Sequence, residues 1–300
     1  MPASVLGDED VQLALHVAYE LSYRGYAGVP DWMETDAEVV ALRHAAESAM
    51  ESELRDRIGI VPADAPGLLQ RIAGAEGGPS LSAHLADHPD LEQVREFAVH
   101  RSAYQLKEAD PHSWAIPRLD GRAKSALVEI QADEYGGGVP GEAHAELWAT
   151  TMSALGLDAT YGRYVDLLPA TTLATGNLIS LLGLQRRLLP ALLGHLALFE
   201  MTSTGPMARY ADALRAVGVA ERGCRFFDVH VEADAHHEVL ALHELVGGHL
   251  ADHPSDGREV SFGALALDLV EGRFAAHLLR SFTAGRSSLL PGPDLRLTAA

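Results

Sequence analysis

The stretch DVHVEADAHHE, residues 228–238, sets three histidines and four acids in eleven positions. Read as a helix, it brings His230, Asp234 and His237 to within about 60° of one another, because they recur at spacings of four and three. Asp228, Glu232, His236 and Glu238 point elsewhere. The stripe covers roughly 10 Å along the axis. Each histidine lies within a turn of Asp234, but the two histidines are two turns apart. The economical geometry is two ions, one near each histidine, with Asp234 between them; two-metal sites hold their ions about 3.5–4 Å apart. A solvated face with scattered histidines satisfies the same spacing, so the rest of the chain has to weigh on the choice.

Outward from this stretch the chain reads as helical. Apolar residues recur at helical spacing over 10–26, 36–59, 66–78, 90–110, 120–138, 141–156, 172–202, 205–218, 220–253 and 260–282. Asp120 is a plausible N-cap, the three glycines at 136–138 are a stop, and Pro190 is a place for a bend. Few runs alternate with period two and no internal repeat shows. The expected class is all-α, with residues 1–300 forming one domain and 285–300 a loose tail. Loops at 26–35, 111–119 and 157–171 suit that compactness.

Composition narrows the function. A formal charge of −19, with Lys107 and Lys124 the only lysines, argues against nucleic acid or an anionic membrane surface as partner. Cys224 is the single cysteine, so neither a disulfide framework nor a thiolate metal site is expected. The most apolar run, LLGLQRRLLPALLGHLALFEM at 181–201, carries Gln185, Arg186, Arg187 and Pro190, and reads as a buried helix and not a membrane span. No signal peptide is read at the N-terminus, and a cytoplasmic location is expected.

A di-metal site in a helical bundle needs inward carboxylates and histidines from several helices. Glu200 follows LLPALLGHLALF, a run with little reason to accept a charge; it is either a buried ligand or a helix-end acid emerging into solvent. VEIQADEYGGGVPGEAHAELW (128–148) carries Glu129, Asp133 and Glu134 before its glycines, and Glu142, His144 and Glu146 after them. The break prevents one straight helix, so a helical wheel does not say which acid shares a face with His144. His243, His249 and His253 read as surface residues, and His195 as a core or surface histidine.

Taken together, H-x-x-x-D-x-x-H, a glutamate thirty residues before it and an earlier E-x9-H pair resemble the haem-oxygenase-like di-iron oxidases and oxygenases. YELSYRGYAGV, YQLKEADPHSWAIPRL, VEIQADEYGGG, GHLALFEMTS and HVEADAHHE resemble the bacterial branch known as iron-containing redox enzymes, over roughly 10–280. The resemblance implies a helical bundle of about seven core helices holding two Fe(II) ions. Carried over by position, the ligands are Glu134, His144, Glu200, His230, Asp234 and His237. Some members have a further carboxylate three residues before the first histidine; that position is Gly141 here, and the adjacent Glu142 is a further candidate.

The same resemblance implies O2 as co-substrate and oxidation of a small amine, amino acid or fatty acid. N-oxygenation of an amine or amino acid, in specialised metabolism, is the leading expectation, with oxidative C–C cleavage or desaturation as the alternative. A substrate carboxylate would want a cation; Arg101, Lys107 and Arg118 border the ligand segments, though surface salt bridges explain them equally well. An external electron donor is a further partner to expect, and a homodimer is the common state of the fold. Rival readings are a haem oxygenase proper using His16, a cofactor-free relative, and a non-catalytic iron-binding module.

Overall fold

The computed structural model describes residues 4–75 and 80–292, apart from the side chains at 234 and 235. Among the described residues there are helices and no strand. Helix α1 (Glu9–Glu20) starts at Asp8, whose carboxylate accepts from the Val11 N–H, and α2 (Ala37–Ile58) starts at Asp36, which accepts from Glu38 and Val39. These side chains satisfy N–H groups that a helix start leaves unpaired. Next come α3 (Ala65–Ala73), α4 (Leu81–Asp87), capped by Ser80, and α5 (Leu91–Gln105), capped by Asp90. Helix α4 lies between the helical stretches that periodicity marks, and is too short to show a period of its own.

The short α6 (Asp110–Ser113) leads to α7 (Gly121–Glu134) and α8 (His144–Ala154). Asp120 holds the cap position of α7 without a side-chain bond. The apolar run expected as one helix over 172–202 divides into α9 (Ala170–Leu184) and α10 (Leu189–Ala216). Pro190 sits in the first turn of α10, where its missing N–H is no loss. The break expected near 203 is absent: α10 continues through Pro206 to Ala216. Conversely, 220–253 is not one α-helix. Helix α11 (Glu221–Val239) gives way to a π-helical turn, Leu240–Val246, before α12 (Gly247–Asp252); α13 (Gly257–Thr283) follows.

Helix α10 organises the packing, lying along α11 on one side and α13 on the other. At the α10–α13 crossing, a Cβ on Gly194 would come within 1.8 Å of the Val260 carbonyl oxygen, and one on Gly263 within 1.8 Å of the Ala191 carbonyl oxygen. Two glycines thus let the backbones touch. The buried apolar residues form two adjoining clusters, and α10 feeds both: Leu192, Leu196 and Leu198 enter one, Met207, Tyr210 and Leu214 the other. Glu200 falls between them, where the helix passes from one apolar cluster to the next. Among the described residues no helix is long and apolar enough to cross a membrane.

Candidate metal centre

Helix α7 ends at Glu134, and the chain turns back through Gly136–Gly138. Gly136 has φ +66°, and a Cβ there would lie 2.4 Å from the Glu142 carbonyl carbon. Only glycine meets both conditions. The reversal starts α8 at His144 and brings its Nδ1 to 2.9 Å from Glu134 Oε2. A wheel cannot choose among Glu129, Asp133 and Glu134; this turn does. Glu129 faces His236 at the surface, and Asp133 faces the outer nitrogen of His237.

Helix α11 packs across α8 and supplies His230, whose ring lies 4.2 Å from that of His144, centre to centre. Its Nδ1–H donates to the Phe226 carbonyl oxygen at 2.7 Å, which fixes the tautomer and turns the Nε2 lone pair inward. Opposite that nitrogen, 3.7 Å away, is Glu108 Oε1. Ligand atoms of Glu108, Glu134, His144 and His230, all buried, lie within 4.8 Å of one another.

A second group shares Glu134 with the first. Ligand atoms of Glu134, Glu200 and His237 also lie within 4.8 Å of one another. His237 Nδ1 is 3.3 Å from Glu200 Oε2, and its Nε2–H donates to Asp133 at 3.0 Å. Asp133 therefore does for His237 what the Phe226 carbonyl does for His230. The Asp234 side chain lies outside the described residues.

Electrostatics ties the group together. Burial alone would raise the Glu134 pKa, but His144, His230 and His237 outweigh it and hold the carboxyl well below the usual range. Burial alone would lower that of His237; Glu200, Asp133 and Glu134 reverse this and bring it to about 9. The residues fit a metal on a sharper criterion as well. Nδ1 of His144, Nδ1 of His237 and Oε2 of Glu108 are buried without a hydrogen bond, although carboxylate oxygens lie within 2.9 and 3.3 Å of the two ring nitrogens. Donor atoms crowded together in this way form a set that a cation can gather. Nitrogen and oxygen donors without thiolate suit non-haem iron.

Sequence reasoning misses Glu108, because the pattern over 90–110 reads as one helix running to its end. Helix α5 stops at Gln105, and the chain turns at Ala109, the only non-glycine residue with positive φ (75°) among those described. An alanine in that region costs about 1–2 kcal/mol. Gln131, one turn before Glu134, donates to the Ala109 carbonyl at 2.9 Å and holds the turn. The Asp-Pro pair at 110–111 marks a break; nothing in the pattern says that it aims Glu108 inward.

The other candidates separate. Glu142 is exposed and faces Arg225 at 3.6 Å, outside both groups. Gly141 has φ +88° and gives its N–H to Glu146, so this backbone does not suit a side chain reaching inward. Lys107 is buried in a close pair with Glu20, and Arg118 donates to the carbonyl oxygens of Gly183 and Leu184 at the end of α9. Both have structural partners outside the two ligand groups. Arg101 forms a two-pronged pair with Glu271, at 2.9 and 2.7 Å, in the wall of a neighbouring cleft. His16 shares a hydrogen bond of 2.7 Å with the Tyr26 hydroxyl beside a cavity of about 10 Å³, far too small for a porphyrin.

A cavity of about 10 Å³, room for one water-sized molecule, lies against Glu108, Glu134 and Glu200. His112 and Tyr104 are in its wall. Burial pushes His112 down to about 4 against the pull of Glu134, so its imidazole is neutral. Burial and then Glu108 keep the Tyr104 phenol protonated.

The family model for iron-containing redox enzymes matches residues 95–272, more than half of the chain. The chain belongs to that family of oxidoreductases. It is also similar to a nitrosourea synthase from Streptomyces achromogenes subsp. streptozoticus, 26% identical over 178 residues. That match covers 59% of this chain and only 38% of the relative.

Proposed function

We propose that this protein is a di-iron enzyme that uses O2 to oxidise the nitrogen of a small amine or amino acid. The observation that carries the reading is the pair of buried ligand groups joined at Glu134, with Glu108, His144 and His230 on one side and Glu200 and His237 on the other. The spacing of Asp234 between His230 and His237 adds it to the set. The similarity to a nitrosourea synthase, named for a product with an oxidised nitrogen, favours nitrogen as the atom attacked.

Bound iron would supply the electrons and open coordination positions that O2 chemistry requires. The protein's part is different. The buried carboxylates of Glu108, Glu134 and Glu200 would offset the charge of two divalent ions. The bond at the outer nitrogen orients His230 and His237 and fixes which ring nitrogen faces the site. Neutral His112 and protonated Tyr104 line the cavity beside the glutamates. Conversion of an amine to a hydroxylamine with one O2 consumes two further electrons and two protons and yields water, so an external electron donor belongs to the proposal.

The test is an anaerobic Fe(II) titration of metal-free protein, followed by mixing with O2 in the presence of a panel of primary amines and amino acids. Two ions per chain and amine-dependent O2 uptake with hydroxylamine product support the reading. Tight binding of no ion overturns it. Two ions with O2 uptake and loss of carbon from an amino acid would move the assignment to oxidative C–C cleavage.

A further inference from the structure

The cavity against the candidate ligands holds one small molecule, and an amine larger than ammonia needs more space than that. A larger space lies next door. A cleft of about 360 Å³ opens between α4, α10 and α13, in the size range of small-molecule sites. A third cavity, about 40 Å³, lies behind an aromatic wall that includes Trp148, Phe226 and Phe227. Phe199 is the one residue that lines all three. It precedes Glu200, and Ser203, one turn further along α10, lines both the cleft and the ligand cavity. A single layer of side chains therefore separates the cleft from the candidate metal centre.

That layer is thin and borders open space. Phe199 is partly exposed, stacked on His195 with ring centres 6.2 Å apart and set edge-on to Tyr104 at 6.0 Å. Pro206, within α10 and in the cleft wall, has no N–H to give to the Thr202 carbonyl, which weakens the helix just beyond Glu200. The cleft wall also carries charged residues. Arg101 and Glu271 neutralise each other, whereas Asp268 has no cationic partner among the described residues. Asp268 is the acid in the wall that a positively charged visitor would meet, with the Arg209 guanidinium held at 2.9 Å on Ser82 of the same wall.

We propose that this cleft is the access route and first docking site for a small molecule carrying an ammonium group, and that Phe199 is the partition separating it from the metal centre. The substrate class rests on the function proposed above; the route and the gate are properties of the protein without metal, and are tested without it. Leu196 lines only the inner cavity. Metal-free Leu196→Cys protein is treated with 2-aminoethyl or 2-sulfonatoethyl methanethiosulfonate, and labelling at each cysteine is followed by mass spectrometry. Rates are normalised to those of the unfolded chain. Native Cys224, fully buried elsewhere, reports any general loosening.

The thiol at position 196 is expected to react at least tenfold faster in the Phe199→Leu background and at least tenfold slower with Phe199→Trp, with Cys224 unchanged. Asp268→Asn is expected to reduce the preference for the cationic reagent about threefold. Labelling at 196 that ignores residue 199, or that rises only in step with Cys224, overturns the gate. A reagent preference that ignores Asp268 overturns the assigned charge class. A working gate in a protein that binds no iron would instead sink the di-iron reading and leave the route standing.

Discussion

Lys107 and Glu108 are neighbours in the chain and belong to two different buried polar clusters. Lys107 pairs with Glu20, whose other oxygen takes the Tyr161 hydroxyl, and Tyr26 joins His16 alongside. There the buried charges are matched one to one and hydrogen-bonded, as burial demands. Glu108 faces a cluster built the other way. Three glutamates and three imidazoles meet with ring nitrogens and a carboxylate oxygen left without hydrogen bonds. The first cluster is complete as a piece of protein. The second leaves donor atoms that a bound cation can take up. Both are buried; the first carries its own cation in Lys107, whereas the second gathers glutamates and imidazoles whose donor atoms are not aligned on one another.

Breaking that contrast at Glu134 has the largest expected effect. Glu134 is the one residue common to both ligand groups, so Glu134→Ala should reduce iron content from about two per chain to below one, with little loss of helix; metal analysis beside circular dichroism measures both. Retention of two ions would remove the shared-carboxylate picture. The converse change lies in the matched cluster. Glu20→Ala leaves the Lys107 charge buried and unpaired and should cost about 3–5 kcal/mol in urea unfolding, while Fe(II) stoichiometry stays unchanged in protein kept folded.

A smaller effect is expected one contact further out. Asp133→Asn weakens the acceptor on His237 Nε2–H without touching a ligand. Outer partners of this kind change metal affinity about 10–100-fold. Competition with a chelator of known affinity measures it, and an unchanged constant would make Asp133 a bystander.

Acidity offers the next test. In metal-free protein His237 is protonated up to about pH 9, above its ordinary 6.5, because Glu200, Asp133 and Glu134 overcome burial. This contributes stability in full below pH 6.5, and it is lost as pH rises through 9. A metal must displace that proton, so affinity should rise with pH up to about 9 with a slope of one proton for this site. Calorimetry in buffers of different ionisation enthalpy counts the protons released. The smallest effect belongs to Glu142→Gln. Its contact with Arg225 is half exposed and 3.6 Å long, so stability should change by less than about 0.5 kcal/mol and iron content not at all.

Much of the fold and part of the site are legible in the sequence. The 3.6-residue period marks nearly every helix, and the spacing within 228–238 selects His230 and His237 because angular position on one helix follows from residue number alone. Glu200 is conspicuous as an acid in an apolar run, which is a statement about burial. Glu134 and His144 pair on resemblance alone, since no helical wheel crosses a glycine break. What spacing does not supply is convergence between helices. Glu108 enters the cluster through a left-handed turn at Ala109, and Glu134 meets His144 through a left-handed turn at Gly136. A few rotated dihedrals decide which of several nearby acids points inward, and local composition is nearly the same for each outcome. The partition at Phe199 is further still from the sequence, where it is one more apolar residue on a core helix. Only the packing of α10 against α11 and α13 makes it the wall of three cavities, because a wall is defined by the spaces on either side of it.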